Sequence, residues 1–159
     1  MFRYQYQQQY DGGGSGAGRI TWAVQRLILI TSAVFAAQLV SHMFWPTEQV
    51  DSSPGLALLV WFTFHSATFP TSGYLWQPFT YLFLHGGLSH LFFNMLWLYV
   101  FGPDVERALG TRQFFRFYIL CGAIAVLPTI LFVPPMVHPS VLGASGATMA
   151  VLVAFAIIN

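Results

Sequence analysis

The sequence predicts an all-α protein, built as a bundle of helices that cross a membrane several times. Apolar residues make up 56% of the 159 residues and charged residues only 7%, whereas roughly 25% of the residues of an ordinary soluble domain are charged. A soluble fold of this size could not cover so much apolar surface. The apolar residues also fall into long runs separated by short polar turns, which is typical of spanning helices.

Two regions differ in composition. Residues 1–18 are rich in Gln, Tyr and Gly, a composition that cannot pack a core, and they are predicted to form a flexible cytoplasmic tail. Residues 19–159 form the predicted transmembrane domain. The lone cysteine, Cys121, lies in an apolar segment and is interpreted as a small buried hydrophobe. Neither a disulfide framework nor a metal cluster is expected.

Four apolar runs are predicted to span the membrane. Glycine and proline mark several of their ends, including Gly102-Pro103 after the second and Pro134-Pro135 after the third. The four predicted spans are Ile20–Trp45, Leu88–Phe101, about Phe114–Val133, and Ser145 to the last residue, Asn159. A fifth apolar stretch, Gly55–Phe69, is short and interrupted by polar residues, so it is predicted to be interfacial or re-entrant.

The arginines predict the orientation. One group lies before or at the start of the first span, and the other lies between the second and third spans: Arg3, Arg19 and Arg26, then Arg107, Arg112 and Arg116. Both groups lie on the cytoplasmic side, as the positive-inside rule requires, only if Gly55–Phe69 does not cross. The N-terminus is therefore predicted inside, the loop from Pro46 to about His85 outside, and Ser145 at the outer end of the fourth span.

The fourth span is short. A helix from Ser145 to Asn159 rises roughly 21 Å at 1.5 Å per residue, against a hydrocarbon core about 30 Å thick. We therefore expect the chain to be the N-terminal part of a longer protein.

Ser145 is the first candidate for chemistry. It lies between small residues at the start of an apolar helix, with Gly143 before it and Gly146 after it. Small neighbours leave room around a hydroxyl, and the free N–H groups of a helix start can point at one spot. The alternative is that the small residues are a packing motif between helices.

His90 and Asn94 are the next candidates. They lie four residues apart in the second span, hence on one face of a helix. Polar groups inside a span are costly and often functional, although they can also serve as hydrogen-bonding contacts between helices. His85, five residues before His90, would lie about 140° away around an ideal helix, so a structural or water-binding role is expected for it.

Four motifs taken together resemble the rhomboid intramembrane serine proteases. They are WQPFTY at 76–81, HGGLSHLFFN at 85–94, GPDVERALG at 102–110 and GASGA at 143–147. Each is weak alone, but their order and spacing are specific. The resemblance covers roughly Ile20 to Asn159. Glu106 and Arg107 match a polar turn that braces a helix end in the family, and Ala108 stands where the family often has an arginine.

The resemblance implies a bundle of six core helices, four of them in this chain. It implies that Ser145 is the nucleophile and that His90, Asn94 and the backbone N–H of Ser145 form an oxyanion hole. It places Gly55–Phe69 and Trp76 in a first loop that lies partly in the membrane. The family's base histidine, on the sixth core helix, would follow Asn159, so the chain as given should be inactive alone.

The predicted function is therefore an intramembrane serine endopeptidase that cleaves transmembrane segments of other proteins. It needs no cofactor or metal and binds no nucleic acid. A prokaryotic plasma membrane is favoured by the compact core. The main alternative is a non-catalytic rhomboid-like protein that binds transmembrane clients, and a channel or transporter fragment is a weaker one. The remaining histidines, His42, His65 and His138, are interpreted as interfacial or loop residues.

Overall fold

The computed structural model describes residues 20–44, 60–66, 69, 73–133 and 140–159. The elements follow in the order α1 (Trp22–Phe44), β1 (Phe64–His65), α2 (Gln77–Thr80), a 3-10 turn (Tyr81–Phe83), α3 (Leu88–Leu109), α4 (Thr111–Ile124), α5 (Leu127–Phe132), β2 (Ser140–Val141) and α6 (Ser145–Ile158). Helices dominate, which confirms the all-α prediction. The proposed tail, residues 1–18, and His138 lie outside the described residues.

Helix α1 closely matches the first predicted span. One stripe of the helix is buried, comprising Ala23, Val24, Leu27, Thr31 and Phe35. The other faces expose large apolar side chains such as Leu29 and Leu39. A helix that is apolar all round but buried on one stripe only is suited to face lipid.

Helix α3 is longer than predicted. The span was expected to end near Phe101, before Gly102-Pro103, but the helix continues through Pro103 to Leu109. A proline removes one hydrogen bond and disturbs the preceding turn, yet here the following turn is held in place by contacts of Glu106. The prediction of the helix end was therefore wrong by about two turns.

Glu106 ties the end of α3 to the start of α1. Its carboxylate accepts hydrogen bonds from the Thr21 hydroxyl (2.5 Å), from the N–H groups of Ala23 (3.1 Å) and Val24 (3.0 Å), and from the Thr111 hydroxyl (2.8 Å). The first N–H groups of a helix have no intrahelical acceptor, so a carboxylate there satisfies and stabilises them. The polar turn predicted at 106–107 is thus a brace between two helices.

The third predicted span is divided into two helices. The turn at Ala125 and Val126 separates α4 from α5, and the Ala125 N–H donates to the carbonyls of Cys121 (3.0 Å) and Gly122 (3.1 Å). Pro128 explains the break, because its ring clashes with the carbonyl four residues earlier. Proline in a first turn is nevertheless compatible with a new helix, so α5 starts directly.

Within the part of the chain that the structure describes, two stretches are long and apolar enough to cross a membrane, judged by length and composition. They are Trp22–Phe44 and Thr111–Phe132, the second of which joins α4, the turn and α5. Helix α6 is a shorter apolar helix. It packs mainly against α3 and α4, while α1 packs against α3, so the bundle core lies between these four helices.

A small ribbon joins the first loop to the start of α6. Strand β1 pairs antiparallel with β2, with Phe64 opposite Val141 and His65 opposite Ser140. The segment before β1 is held by α2 and its N-terminal flank. The Trp76 indole N–H donates to the Trp61 carbonyl at 3.0 Å. The ribbon therefore brings part of the stretch Gly55–Phe69 close to the turn that precedes Ser145.

Candidate active site

Ser145 is the first residue of α6 and is exposed. The first hydrogen bond of the helix runs from the Thr148 N–H to the Ala144 carbonyl, at 2.9 Å. The N–H groups of residues 145–147 therefore have no acceptor within α6. A nucleophilic hydroxyl must be accessible to attack a carbonyl, and nearby free N–H groups can stabilise the oxyanion that forms. The start of α6 offers both features.

Gly143 brings the turn before Ser145 against His90. Its φ of +114° is a conformation that favours glycine. A Cβ atom at Gly143 would lie 2.5 Å from Cε1 and 2.7 Å from Nε2 of His90. The imidazole of His90 thus packs directly on the backbone two residues before Ser145, so only glycine fits here in both conformation and space.

Asn94 lies one turn along α3 from His90 and is buried. Its Nδ2 donates to the His90 carbonyl at 2.9 Å. Its Oδ1 accepts a hydrogen bond from the Thr148 hydroxyl of α6 at 3.0 Å. The two polar residues predicted on one face of α3 therefore both lie against the start of α6 and the turn before it.

Thr148 was not predicted as a site residue. It is buried, and its hydroxyl also lies 3.0 Å from the Ser145 carbonyl and 3.2 Å from the Ala144 carbonyl. The signal in the sequence is a polar residue inside an apolar helix, the same signal that singled out His90 and Asn94. A threonine is easier to overlook because it can satisfy its own hydroxyl by bonding to a carbonyl of its helix.

The angle predicted for His85 assumed that it belongs to the same helix as His90, and it does not. Helix α3 begins at Leu88, so the angle of an ideal helix does not apply to His85 in the preceding loop. Its ring meets the His90 ring edge to face, with the centroids 5.0 Å apart. Its Nε2 accepts a long hydrogen bond, 3.5 Å, from the Ala144 N–H.

Burial and the neighbouring His90 lower the pKa of His85 to about 4. The ring is therefore neutral at pH 7, as an acceptor for the Ala144 N–H must be. The Gln38 side chain of α1 forms hydrogen bonds with both backbone polar groups of His85. Its Nε2 donates to the His85 carbonyl (3.3 Å), and its Oε1 accepts from the His85 N–H (3.1 Å). Gln38 is a second residue that sequence reasoning missed.

The other predicted residues take separate roles. A Cβ atom at Gly146 would clash with the Ala125 side chain, so Gly146 permits close approach between α6 and the turn after α4, as the packing interpretation expected. His42 is exposed in the last turn of α1, and His65 lies in β1. Within the described ranges there is no group of three or more His, Cys, Asp or Glu residues that could hold a metal ion.

Comparison with protein families gives a match to the rhomboid domain over residues 72–159. That range is more than half of the chain, and it contains every residue of the candidate site except Gln38. The chain belongs to the rhomboid family. The motifs that suggested this resemblance all lie within the matched range.

Several curated rhomboid proteins are similar to this rhomboid chain. The rhomboid protease GluP of Bacillus subtilis is 34% identical over 110 residues, which cover 69% of this chain and 21% of that protein. The putative rhomboid protease YdcA of the same organism is 38% identical over 77 residues, covering 48% and 37%. The rhomboid protease GlpG of Klebsiella pneumoniae is 32% identical over 97 residues, covering 61% and 29%.

The rhomboid chain thus matches between about a fifth and somewhat over a third of the length of these relatives. In the comparison with solved structures, none matches significantly.

Proposed function

We propose that this rhomboid protein is an intramembrane serine endopeptidase that cleaves transmembrane segments of other membrane proteins. The observation that carries the proposal is the hydrogen bond between Asn94 of α3 and Thr148 of α6. It supports a site in which the polar face of α3 lies against the helix start that bears Ser145. The names of the relatives, which are rhomboid proteases, support the same reaction class.

In the proposed reaction, the Ser145 Oγ attacks the carbonyl carbon of the scissile peptide bond. Its proton passes to a general base, and the carbonyl oxygen becomes an oxyanion. That oxyanion accepts hydrogen bonds from the Ser145 N–H and from the side chains of His90 and Asn94. The intermediate then expels the amine, which takes the proton from the base, and a water molecule hydrolyses the acyl-enzyme.

The base is proposed to be a histidine of the sixth core helix of the family, following residue 159 in the complete protein. In the described part of the chain, no histidine forms a hydrogen bond with the Ser145 hydroxyl. His85 already accepts the Ala144 N–H and packs on His90, so it is assigned to holding the turn rather than to proton transfer.

The substrates are proposed to be transmembrane helices that are cut near the outer face of the membrane. A regular helix hides its carbonyls from attack, so substrates with helix-destabilising residues near the cleaved bond are favoured. The N-terminus is proposed to be cytoplasmic, with the membrane being a prokaryotic plasma membrane.

Ser145→Ala tests the proposal in the complete protein, purified in detergent and reconstituted with a transmembrane substrate. The variant should lose all measurable cleavage and all labelling by a fluorophosphonate probe. Ser32→Ala, which removes a serine hydroxyl from α1, is the matched control and should retain both. Full cleavage by Ser145→Ala would end the proposal, whereas a wild-type protein that binds but does not cleave transmembrane clients would favour the non-catalytic alternative.

A further inference from the structure

The Thr148 hydroxyl occupies a position between three oxygen acceptors. It lies 3.0 Å from Asn94 Oδ1, 3.0 Å from the Ser145 carbonyl and 3.2 Å from the Ala144 carbonyl. A hydroxyl carries one proton and can donate it to one acceptor at a time. The contacts of the neighbouring Asn94 carboxamide indicate which of the three acceptors takes that proton.

The contacts of Asn94 select one arrangement. With Nδ2 2.9 Å from the His90 carbonyl, the amide donates there and its Oδ1 faces Thr148. Turning the amide over would place Oδ1 against that carbonyl, so two acceptor oxygens would meet without a proton between them. In this arrangement the Thr148 proton is assigned to Asn94 Oδ1, because no other donor among the described residues reaches that oxygen, whereas the Ala144 carbonyl already accepts the Thr148 N–H at 2.9 Å.

We propose that Thr148 is a positioning residue that fixes the orientation of the Asn94 carboxamide for catalysis. The inference rests on the proposed function, in which Asn94 helps to bind the oxyanion. One of the two hydrogens on Asn94 Nδ2 is donated to the His90 carbonyl. The other has no acceptor among the described residues. With Oδ1 held by Thr148, this second hydrogen remains available to the oxyanion before the reaction begins.

The energetic reason is pre-organisation. An oxyanion donor contributes most when it does not have to reorient as charge develops. Thr148 and Asn94 are both buried, with 4% and 5% of their surfaces exposed, so water cannot readily replace the hydroxyl if it is lost. The proposed nucleophile Ser145 and the residue that orients Asn94 also lie in the same helix turn, because Thr148 follows Ser145 by three residues.

The test replaces the hydroxyl by a methyl group of similar shape, Thr148→Val, in the complete protein. We expect kcat to fall about tenfold, less than the 10²–10³ typical of losing an oxyanion donor outright, while KM stays within about twofold. Thr148→Ser, which keeps the donor, should recover most of the lost kcat. Thr148→Cys, whose S–H is a weak donor, should be intermediate and keeps the series informative if the valine variant fails to fold.

Thr31→Val is the matched control. Thr31 is a buried threonine of α1 whose hydroxyl has no partner in the described part of the chain, and it lies outside the site. The same substitution there should leave kcat and KM unchanged. A fall in kcat with Thr31→Val would mean that loss of any buried threonine slows the enzyme, which would overturn the inference.

A double-mutant cycle separates positioning from a structural role. If Thr148 acts through Asn94, adding Thr148→Val to Asn94→Ala should not lower kcat further, since the effects of coupled residues are not additive. An equal fold-loss in both backgrounds, or a wild-type kcat in Thr148→Val, would overturn the inference. The proposed function fails on different results, namely a wild-type protein without cleavage or a Ser145→Ala variant that cleaves.

Discussion

At the scale of single residues, Gly143 is, among the described glycines, the one that combines a positive φ with a neighbour too close for a Cβ atom. Its positive φ and its contact with the His90 ring are independent constraints. The first concerns the backbone, because holding an L-residue at so rarely populated a φ costs roughly 1–3 kcal/mol. The second concerns space next to the candidate oxyanion hole.

Gly143→Ala is expected to lower both thermal stability and cleavage, because the new methyl group must displace His90. Gly73→Ala is a suitable control, since Gly73 also has a positive φ (+71°) but has nothing within 4 Å of a new Cβ atom. It should show the backbone cost alone and retain cleavage. Unfolding temperature in detergent and kcat of both variants check this, and equal kcat losses would contradict the argument.

How far the sequence predicts the site depends on the kind of residue. His90 and Asn94 are predictable because a polar side chain inside an apolar helix needs a reason to be there. Thr148 and Gln38 carry the same signal, but their roles depend on which helix lies opposite. That information is in the packing of α6 and α1 against α3 and its preceding loop, and a single sequence does not contain it.

At the scale of elements, the start of α1 depends on a side chain that lies 82–85 residues later in the chain. Glu106 accepts four hydrogen bonds, two of them from N–H groups of the first turn of α1. Burial alone would raise the pKa of Glu106, but these hydrogen bonds outweigh it and the pKa is lowered. The charged form is therefore the one that stabilises the fold.

Glu106→Gln should lower the free energy of unfolding by about 2–3 kcal/mol, because hydrogen bonds to a charged group are replaced by weaker ones. The stabilisation by Glu106 is fully present above the pKa of an unfolded glutamate, about 4.3, and is lost as the pH falls through the lower folded pKa. The difference in unfolding temperature between wild type and variant should be constant from about pH 7 to 5 and shrink in more acidic buffer. A difference that grows on acidification would contradict this assignment.

The helices were more predictable than their ends. Long apolar runs indicated α1 and the span that comprises α4 and α5. The ends were harder to predict, because two prolines have different effects. Pro103 is accommodated within α3, whereas Pro128 separates α4 from α5. A proline costs about the same in any helix interior, so the surrounding contacts, such as those of Glu106, decide whether the helix continues.

At the scale of the whole molecule, orientation is predicted from charge alone. The positive-inside rule places the arginines at the start of α4 in the cytoplasm and the loop before α3 outside. Leu75 lies before α2 and is 71% exposed, while Gln113 is exposed in the first turn of α4. These two positions should therefore lie on opposite sides of the membrane.

Cysteine labelling tests this orientation in a Cys121→Ser background, which removes the one cysteine of these 159 residues. An impermeant maleimide added to intact cells should label the Leu75→Cys variant. It should label the Gln113→Cys variant only after the membrane is opened. The reverse pattern would show that the chain is inserted the other way round, and labelling of both in intact cells would show that α3 does not separate them.

The contact between Asn94 and Thr148 spans 54 residues of sequence, and this separation sets an order of events during synthesis. At about 5–20 residues per second, a ribosome needs roughly 3–11 s to make that length of chain. During this interval α3 has been made while Asn94 Oδ1 still lacks its donor. The helix that carries Ser145 is therefore the last of these elements to be made, so the contacts of the candidate site are still incomplete in a nascent chain that contains only α1 and α3.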